Sequence, residues 1–292
     1  MMEKQLESHN QYDLAIAYRI YPKISREPLI FSDDKFQLVK FCLRSFTRSL
    51  GDLKVKIWII LDGCPPKYED LVREFFKNED LTIIKEDSIG NRATFGLQID
   101  LLTKQNFSKN VYFAEDDYYY FPNQFKKMIS FLNRFEDVDF VTPYDHLDYY
   151  TTELHNLKQE IRSYASHHWR TAHSTFLTFL TTKRTLLKTK KIFYKYATFN
   201  KNKNNWEIYY WLSITKKKLF NILEILRFYK HHPLYYYYLK DSWKYNWGPI
   251  LFARKRKLWA PIPTIGTHME RTHLSPSIDW NSIFKQELNN FQ

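Results

Sequence analysis

The chain has 292 residues, 18% of them aromatic, with 44 Lys and Arg against 32 Asp and Glu and a formal net charge of +12. This length and aromatic content exclude a disordered, fibrous or low-complexity chain and suit one large domain or two small ones. The two cysteines, Cys42 and Cys64, exclude a disulfide framework and a Cys-rich zinc module.

The N-terminus, Met1–Tyr12, is polar and has no apolar stretch of the kind a signal peptide carries. No run reaches the about 18 apolar residues that a membrane span needs. Leu14–Tyr21 reads as a buried strand, and Asp34–Leu50 has helical apolar spacing at Phe36, Val39, Cys42, Leu43 and Phe46. Val55–Leu61 is a second strand, closed by Asp62-Gly63 and Pro65-Pro66. A helix over Lys67–Lys77, a strand over Leu81–Lys85 and a helix over Ala93–Lys104 follow. Val111–Ala114 is a strand that runs into Glu115-Asp116-Asp117. A helix over Asn123–Phe135 and strands over Asp139–Thr142 and Thr175–Leu180 are expected, with no clear period over Tyr144–Arg170. Trp206–Ile214 and Leu219–Tyr229 have helical spacing, and from His231 the chain is rich in Tyr and Trp.

Strand-helix alternation predicts an α/β fold with a mostly parallel central sheet flanked by helices. Ligands then bind beyond the carboxyl ends of the strands. The expected organisation is a tail over 1–12, a ligand-binding α/β half over 13–182 and an aromatic, basic, partly helical half over 183–292, read as one continuous domain. Charge follows that division. Lys183–Ala260 holds 19 Lys and Arg against 3 Asp and Glu, so the remainder of the chain, with 25 basic and 29 acidic residues, is mildly acidic.

The strongest local pattern is VYFAEDDY, Val111–Tyr118. Three consecutive carboxylates repel unless something positive neutralises them, and a divalent Mg²⁺ or Mn²⁺ does so through oxygen ligands while binding substrate phosphates. The competing reading is a solvated acidic turn or a helix start; the buried strand that precedes the triplet favours the ion. A second pattern is IGNRATFGLQ, Ile89–Gln98, with Gly90, Asn91, Arg92, Phe95 and Gln98 as candidate ligand contacts. Gly90 permits a tight turn, and a helix N-terminus beside Arg92 suits a phosphate, although an Asn-capped loop looks the same. Asp62 could meet a base or ribose, or begin an Asp-Gly turn. Tyr18 could stack on a base and Arg19 contact a phosphate. Pro143–Tyr150 mixes Asp145, His146 and Asp148 with aromatics that could hold a sugar ring. His167-His168-Trp169-Arg170 and His173 form a polar cluster, and Gly266–Glu270 carries His268, an acceptable ligand for Mn²⁺-type ions.

The order of strand, helix, strand-Asp62, helix, strand, Gly90-Asn91 turn, helix and strand-Glu115-Asp116-Asp117 resembles a nucleotide-sugar glycosyltransferase of the GT-A fold. In that family an Asp-any-Asp motif ends a central strand and holds a divalent metal on the donor diphosphate; here Glu115-Asp116-Asp117 stands in its place. The resemblance covers about Asp13 to Leu180. It implies Asp117 as the direct metal ligand, with Glu115 and Asp116 near the donor. It further implies a base from the second half, Glu207 with Asp145 in reserve, and His268 as a C-terminal residue that meets the metal or diphosphate. The implied partners are a nucleotide-diphosphate sugar with Mn²⁺ or Mg²⁺ and a glycan or lipid-linked acceptor.

Two other classes compete. A sugar-phosphate nucleotidyltransferase shares the scaffold, but the stretch from Tyr18 to Pro28 lacks the Gly-rich loop such enzymes carry. A nucleic-acid-binding protein would use the basic, aromatic half but leaves the acidic triplet unexplained, so nucleic acid is not the expected partner. Lys216-Lys217-Lys218 followed by Leu219, Phe220, Ile222, Leu223, Ile225, Leu226 and Phe228 reads either as a core helix with a charged start or as a helix on an anionic membrane surface. The expected location is cytoplasmic, with the membrane surface as the further option.

Overall fold

The computed structural model describes residues 11–198 and 208–291. The chain runs β1 (Leu14–Ile20), α1 (Lys35–Leu50), β2 (Val55–Asp62), α2 (Lys67–Phe75), β3 (Leu81–Glu86), α3 (Asn91–Lys104), β4 (Asn110–Glu115) and β5 (Tyr118–Tyr120). Then come α4 (Phe125–Arg134), β6 (Phe140–Val141), the single turn α5 (Asp148–Thr151), β7 (Ile161–Tyr164), β8 (His167–Ala172), β9 (Phe179–Thr182) and α6 (Lys183–Ala197). The last part is α7 (Ile208–Thr215), α8 (Ile222–His231), α9 (Pro233–Phe252), β10 (Leu258–Ile262), β11 (Gly266–His268) and α10 (Trp280–Asn289).

Among the described residues the main sheet has nine strands in the order β3-β2-β1-β4-β9-β6-β10-β8-β7. The first four are mutually parallel. Only β9 and β8 run against the rest, so the sheet is mostly parallel with a mixed far half. β10 comes from the basic half and pairs with β6, so both halves share one sheet.

β1 is buried along its whole length because helices cover both faces. Leu14, Ile16, Tyr18 and Ile20 point into a core with Val39, Leu43 and Phe46 of α1, Leu71 of α2 and Phe131 of α4. Ala15 and Ala17 point the other way, toward Phe95 and Ile99 of α3, Phe193 of α6 and Trp211 of α7. This alternation is the period-2 geometry of a strand. α1 begins where Asp34 accepts the Gln37 N–H at 3.1 Å, as a helix cap should.

Three differences from the sequence reading matter. The strand expected over Thr175–Leu180 begins only at Phe179, and Thr175 turns inward to bond Thr142 at 2.9 Å. The patternless stretch 144–170 contains β7, most of β8 and the α5 turn. The helix expected over Leu219–Tyr229 starts at Ile222 and buries only Phe228, leaving Ile222, Leu223, Leu226 and Tyr229 exposed. Cys42 and Cys64 are both free thiols. No helix among the described residues is long and apolar enough to cross a membrane.

Candidate active site

Strand register assembles the site. Arg19, near the end of β1, lies opposite Glu115, the last residue of β4. After Glu115 the chain turns through Asp116 and Asp117 into β5, which pairs antiparallel with β11 so that His268 lies opposite Tyr118. This two-stranded ribbon brings a residue from the C-terminal part to the acidic triplet.

The three carboxylates diverge, and each meets its own cation. Glu115 pairs with Arg19 and accepts from the Thr178 hydroxyl at 2.8 Å. Asp116, 6% exposed, pairs with the buried Lys35 ammonium at 2.9 Å and accepts the Tyr21 N–H at 2.8 Å. Asp117 Oδ2 lies 3.2 Å from His268 Nε2. The sequence argument that the triplet needs an ion to neutralise it is therefore answered by the protein itself, with Arg19, Lys35 and His268 each facing one carboxylate. Asp117 differs in keeping one oxygen, Oδ1, that is buried and has no hydrogen-bond partner.

The electrostatics follow. Burial pushes the Asp117 carboxyl up, but the His268 imidazole, then Lys35 and Arg19, outweigh it and hold it well below the usual carboxylate range. Burial opposes a charged His268, yet Asp117, Glu115 and Glu270 together raise it. For Lys35 burial is likewise outweighed, by Asp116 and Asp117, and the ammonium is held above its ordinary range. Burial raises the Asp116 carboxyl, with Lys35 and the Tyr21 N–H opposing.

The residues fit an ion held jointly with a ligand. Among the described residues no three His, Cys, Asp or Glu side chains converge as a metal site. Asp117 Oδ1 and His268 Nε2 would supply two ligands, leaving the rest to phosphate oxygens and water, as Mg²⁺-type sites do. His268 Nδ1 accepts the Glu270 N–H at 3.1 Å, and Glu270 Oε2, itself buried without a hydrogen bond, lies 3.9 Å from that nitrogen. An Nδ1 that accepts this N–H leaves the ring proton on Nε2, pointing at Asp117, so binding an ion through Nε2 requires the proton to move to Nδ1 and the contact with the Glu270 N–H to break.

The loop before α3 forms the second wall. Both oxygens of Asp62 hold its backbone, accepting from Ile89 N at 2.6 Å and Gly90 N at 2.8 Å. Asp62, expected near a base or ribose, is thus a buried loop anchor. Gly63 has φ +68° and a Cβ there would sit 2.3 Å from Ser88 Oγ, so the turn requires glycine. Gly90, at φ +87°, opens α3 with open space in front of its Cα. Arg19 donates to the Asn91 carbonyl at 2.8 Å and to the Asn91 side chain, which joins the helix start to Glu115. The Arg92 guanidinium lies 5.3 Å from the Tyr196 ring. Arg19 is balanced here by Glu115, so any attraction of this wall for an anion comes from the helix N-terminus together with Arg92.

Several expected contacts lie elsewhere. Tyr18 is fully buried against Phe46, with ring centroids 5.1 Å apart, and has no exposed face for a base. Phe95 is core, packed on Phe113 at 5.4 Å. Gln98 donates to the carbonyls of Ala17 at 2.7 Å and Ala114 at 3.1 Å, tying β1 to β4. Asp145 is 4% exposed, and its two oxygens accept from Arg170 and Tyr150, each at 2.6 Å. Burial raises its carboxyl, with Arg170 and the Tyr150 hydroxyl opposing, and both oxygens are already occupied within the protein. Glu207 lies outside the described residues.

A cavity of about 250 Å³ is lined by His146, Asp148, Tyr149, His155, Phe176 and His273 among others, and its wall reaches the triplet's partner His268 through Phe176. Phe176 links the two spaces, its ring 4.9 Å from His146 and 5.4 Å from His268. Within the segment Pro143–Tyr150, Asp148 rather than Asp145 faces this cavity. Burial raises its carboxyl, with His273 opposing and Glu270 reinforcing.

Sequence reading missed Lys35 and Thr178, and named Glu270 only as part of the Gly266–Glu270 stretch. Lys35 had a signal: it falls in line with Leu38, Val39 and Cys42 on the inward face of α1, and an inward Lys needs an acidic partner. Thr178 had none, because its role depends on strand register.

The buried imidazoles give a pH prediction. Burial holds His146 and His173 well below 6.5 and His155 at about 3, so all three are neutral in the folded chain. Unfolding exposes them to protonation below about pH 6.5. A group depressed in this way contributes stability above its unfolded pKa that is lost as pH falls. Stability should therefore drop from pH 7 toward 5.5, with a slope approaching three protons or about 4 kcal/mol per pH unit. Urea midpoints across this range test it; a flat profile or greater stability on acidification would contradict it.

No protein-family model matches the sequence, and no curated protein matches it. Solved structures do. S. aureus TarS 1–349 in complex with UDP is similar at 11% identity and TM-score 0.42, over 69% of this chain and 54% of that one. The same fragment alone gives 14% identity and TM-score 0.38, over 62% and 49%. The 4-diphosphocytidyl-2C-methyl-D-erythritol synthase of Anaerococcus prevotii gives 10% and 0.42, over 96% of each chain. The matched region thus spans about half of TarS 1–349. Likeness at these values says nothing about what this chain binds.

Proposed function

We propose that this chain is a divalent-metal-dependent glycosyltransferase. It moves a sugar from a nucleotide-diphosphate sugar to a glycan or lipid-linked acceptor, in the synthesis of a surface polysaccharide or glycoconjugate. The observation that carries the reading is Asp117: a buried carboxylate oxygen without a partner, beside His268 at 3.2 Å, at the end of a central parallel strand.

Mn²⁺ or Mg²⁺ held by Asp117 and His268 would offset charge growing on the departing diphosphate. The chain's own residues do the remaining work. Arg92 and the start of α3 offer positive charge to the phosphates, and Asp62 fixes the loop that presents them. Arg19 and Thr178 orient Glu115, which faces the donor sugar or ribose. Asp116 and Lys35 neutralise each other and keep the turn in shape. The acceptor occupies the cavity of His146, Tyr149 and Phe176. Asp148, whose carboxyl burial raises above its ordinary value, receives the acceptor proton; Glu207 is the other candidate for that role.

A donor screen tests the reading. The chain is incubated with Mn²⁺ or Mg²⁺ and a panel of nucleotide-diphosphate sugars, and melting temperature and donor hydrolysis are followed. At least one donor should raise the melting temperature by mass action and lose its sugar slowly to water. Pyrophosphate release from a nucleoside triphosphate and a sugar phosphate, with no response to any nucleotide sugar, would replace this activity with nucleotidyl transfer.

A further inference from the structure

α8 and α9 form a helical hairpin whose inner side is firmly tied to the body. Phe228, Leu239 and Ile250 pack with Leu212 and Leu219 in one buried cluster. Ser242 donates to the Tyr209 carbonyl at 2.9 Å, and Asn246 donates to Ser213 Oγ at 3.0 Å. The outer side is unlike the surface of an ordinary soluble domain. Phe220, Ile222, Leu223 and Leu226 are 56%, 72%, 79% and 58% exposed, and Phe252 is 82% exposed. Large apolar side chains clustered in this way mark an interaction site.

Charge identifies the partner. Residues 216–257 hold eleven Lys and Arg against Glu224 and Asp241. The cations interleave with the apolar groups instead of ringing them. Lys216 borders one groove with Phe220, Ile222 and Leu223, where Lys218 is buried and paired with Glu224. On α9, Tyr237, Lys240, Lys244, Trp247 and Leu251 recur at three- and four-residue spacing, and all five are exposed. A second copy of this chain would bring like charges together, and lysine is depleted from interface cores. A nucleic acid would draw the lysines but has no use for exposed Ile and Leu. An anionic bilayer surface accepts both, with Leu and Ile in the acyl boundary, Trp and Tyr at headgroup depth and Lys against lipid phosphate.

We propose that the outer side of the α8–α9 hairpin, carrying Ile222, Leu223, Leu226, Trp247 and Leu251 among lysines, docks the protein on an anionic lipid surface. This surface stands apart from the catalytic assignment, so the two can fail separately.

Flotation of the full chain with phosphatidylcholine vesicles, with and without phosphatidylglycerol, tests it. The protein should float with the anionic vesicles at low salt, stay behind with the neutral ones, and be released as salt rises. L223E/L226E should lose flotation while keeping its melting temperature, since both residues are solvent-exposed. K240Q/K244Q should bind about thirtyfold more weakly. Equal binding to neutral vesicles, or no flotation at low salt, would overturn the proposal. So would a concentration-dependent dimer abolished by L223E/L226E, or an oligonucleotide shift carried by the same residues, because each assigns the face to another partner.

Discussion

Asp117→Asn should lower metal-dependent sugar transfer by about a thousandfold or more, with little change in fold. The amide preserves shape but removes the anionic oxygen that lies buried and unpartnered beside His268. The neighbouring carboxylates cannot replace it. Glu115 is occupied by Arg19 and Thr178, and Asp116 by Lys35 and the Tyr21 N–H. Because this carboxylate is also the ion-pair partner of His268, the melting temperature should fall while the fold persists, so turnover is compared at a temperature where both proteins are folded. Turnover and unfolding are measured on the same preparation. Unaltered turnover would remove Asp117 from the metal site, and a collapsed fold would make its role structural.

Lys35→Met should destabilise the protein by about 3–5 kcal/mol, because it strands a buried carboxylate. Lys35 and Asp116 are 8% and 6% exposed and sit 2.9 Å apart, with Asp117 as a further negative neighbour. The second substitution is the diagnostic one. Adding Asp116→Asn to Lys35→Met removes the stranded charge and should recover most of the loss, since deleting both partners of a buried pair costs far less than deleting one. Urea midpoints of the two single variants and the double variant give the coupling. Additive effects would show that the pair does not hold the turn.

The parallel part of the fold was legible because its signals are local. β1 to β4 are apolar runs punctuated by Asp62-Gly63, Pro65-Pro66 and Gly90, and α1 carries its own cap at Asp34. The mixed half was less legible. β8, with sequence HHWRTA, looks polar because Arg170 is buried against Asp145, a pairing no periodicity reveals. α9 is aromatic on every side and contains Pro249, so it presents no clean apolar stripe.

The site divides the same way. Glu115, Asp117 and His268 stood out by residue type, and the ribbon of β5 and β11 brings Asp117 and His268 together. Tyr18, Phe95 and Gln98 were assigned to ligand contact, yet the structure buries them. A strand apolar on both faces does not disclose which side chains reach its open end, and a helix start does not disclose how soon it turns into the core. Asp145 and Asp148 are three residues apart in one aromatic segment. Only the placement of Arg170 and Tyr150 shows that the first is consumed by the interior while the second faces the cavity.

The most direct measurement is Mn²⁺ binding, followed by the paramagnetic resonance of the free ion, with and without a nucleotide-diphosphate sugar. If Asp117 and His268 are the protein ligands among the described residues, the wild-type chain should take up Mn²⁺ weakly alone and strongly with the donor, and Asp117→Asn should lose the donor-dependent uptake. Donor binding that is indifferent to Mn²⁺, or Mn²⁺ uptake unchanged in Asp117→Asn, would contradict the account.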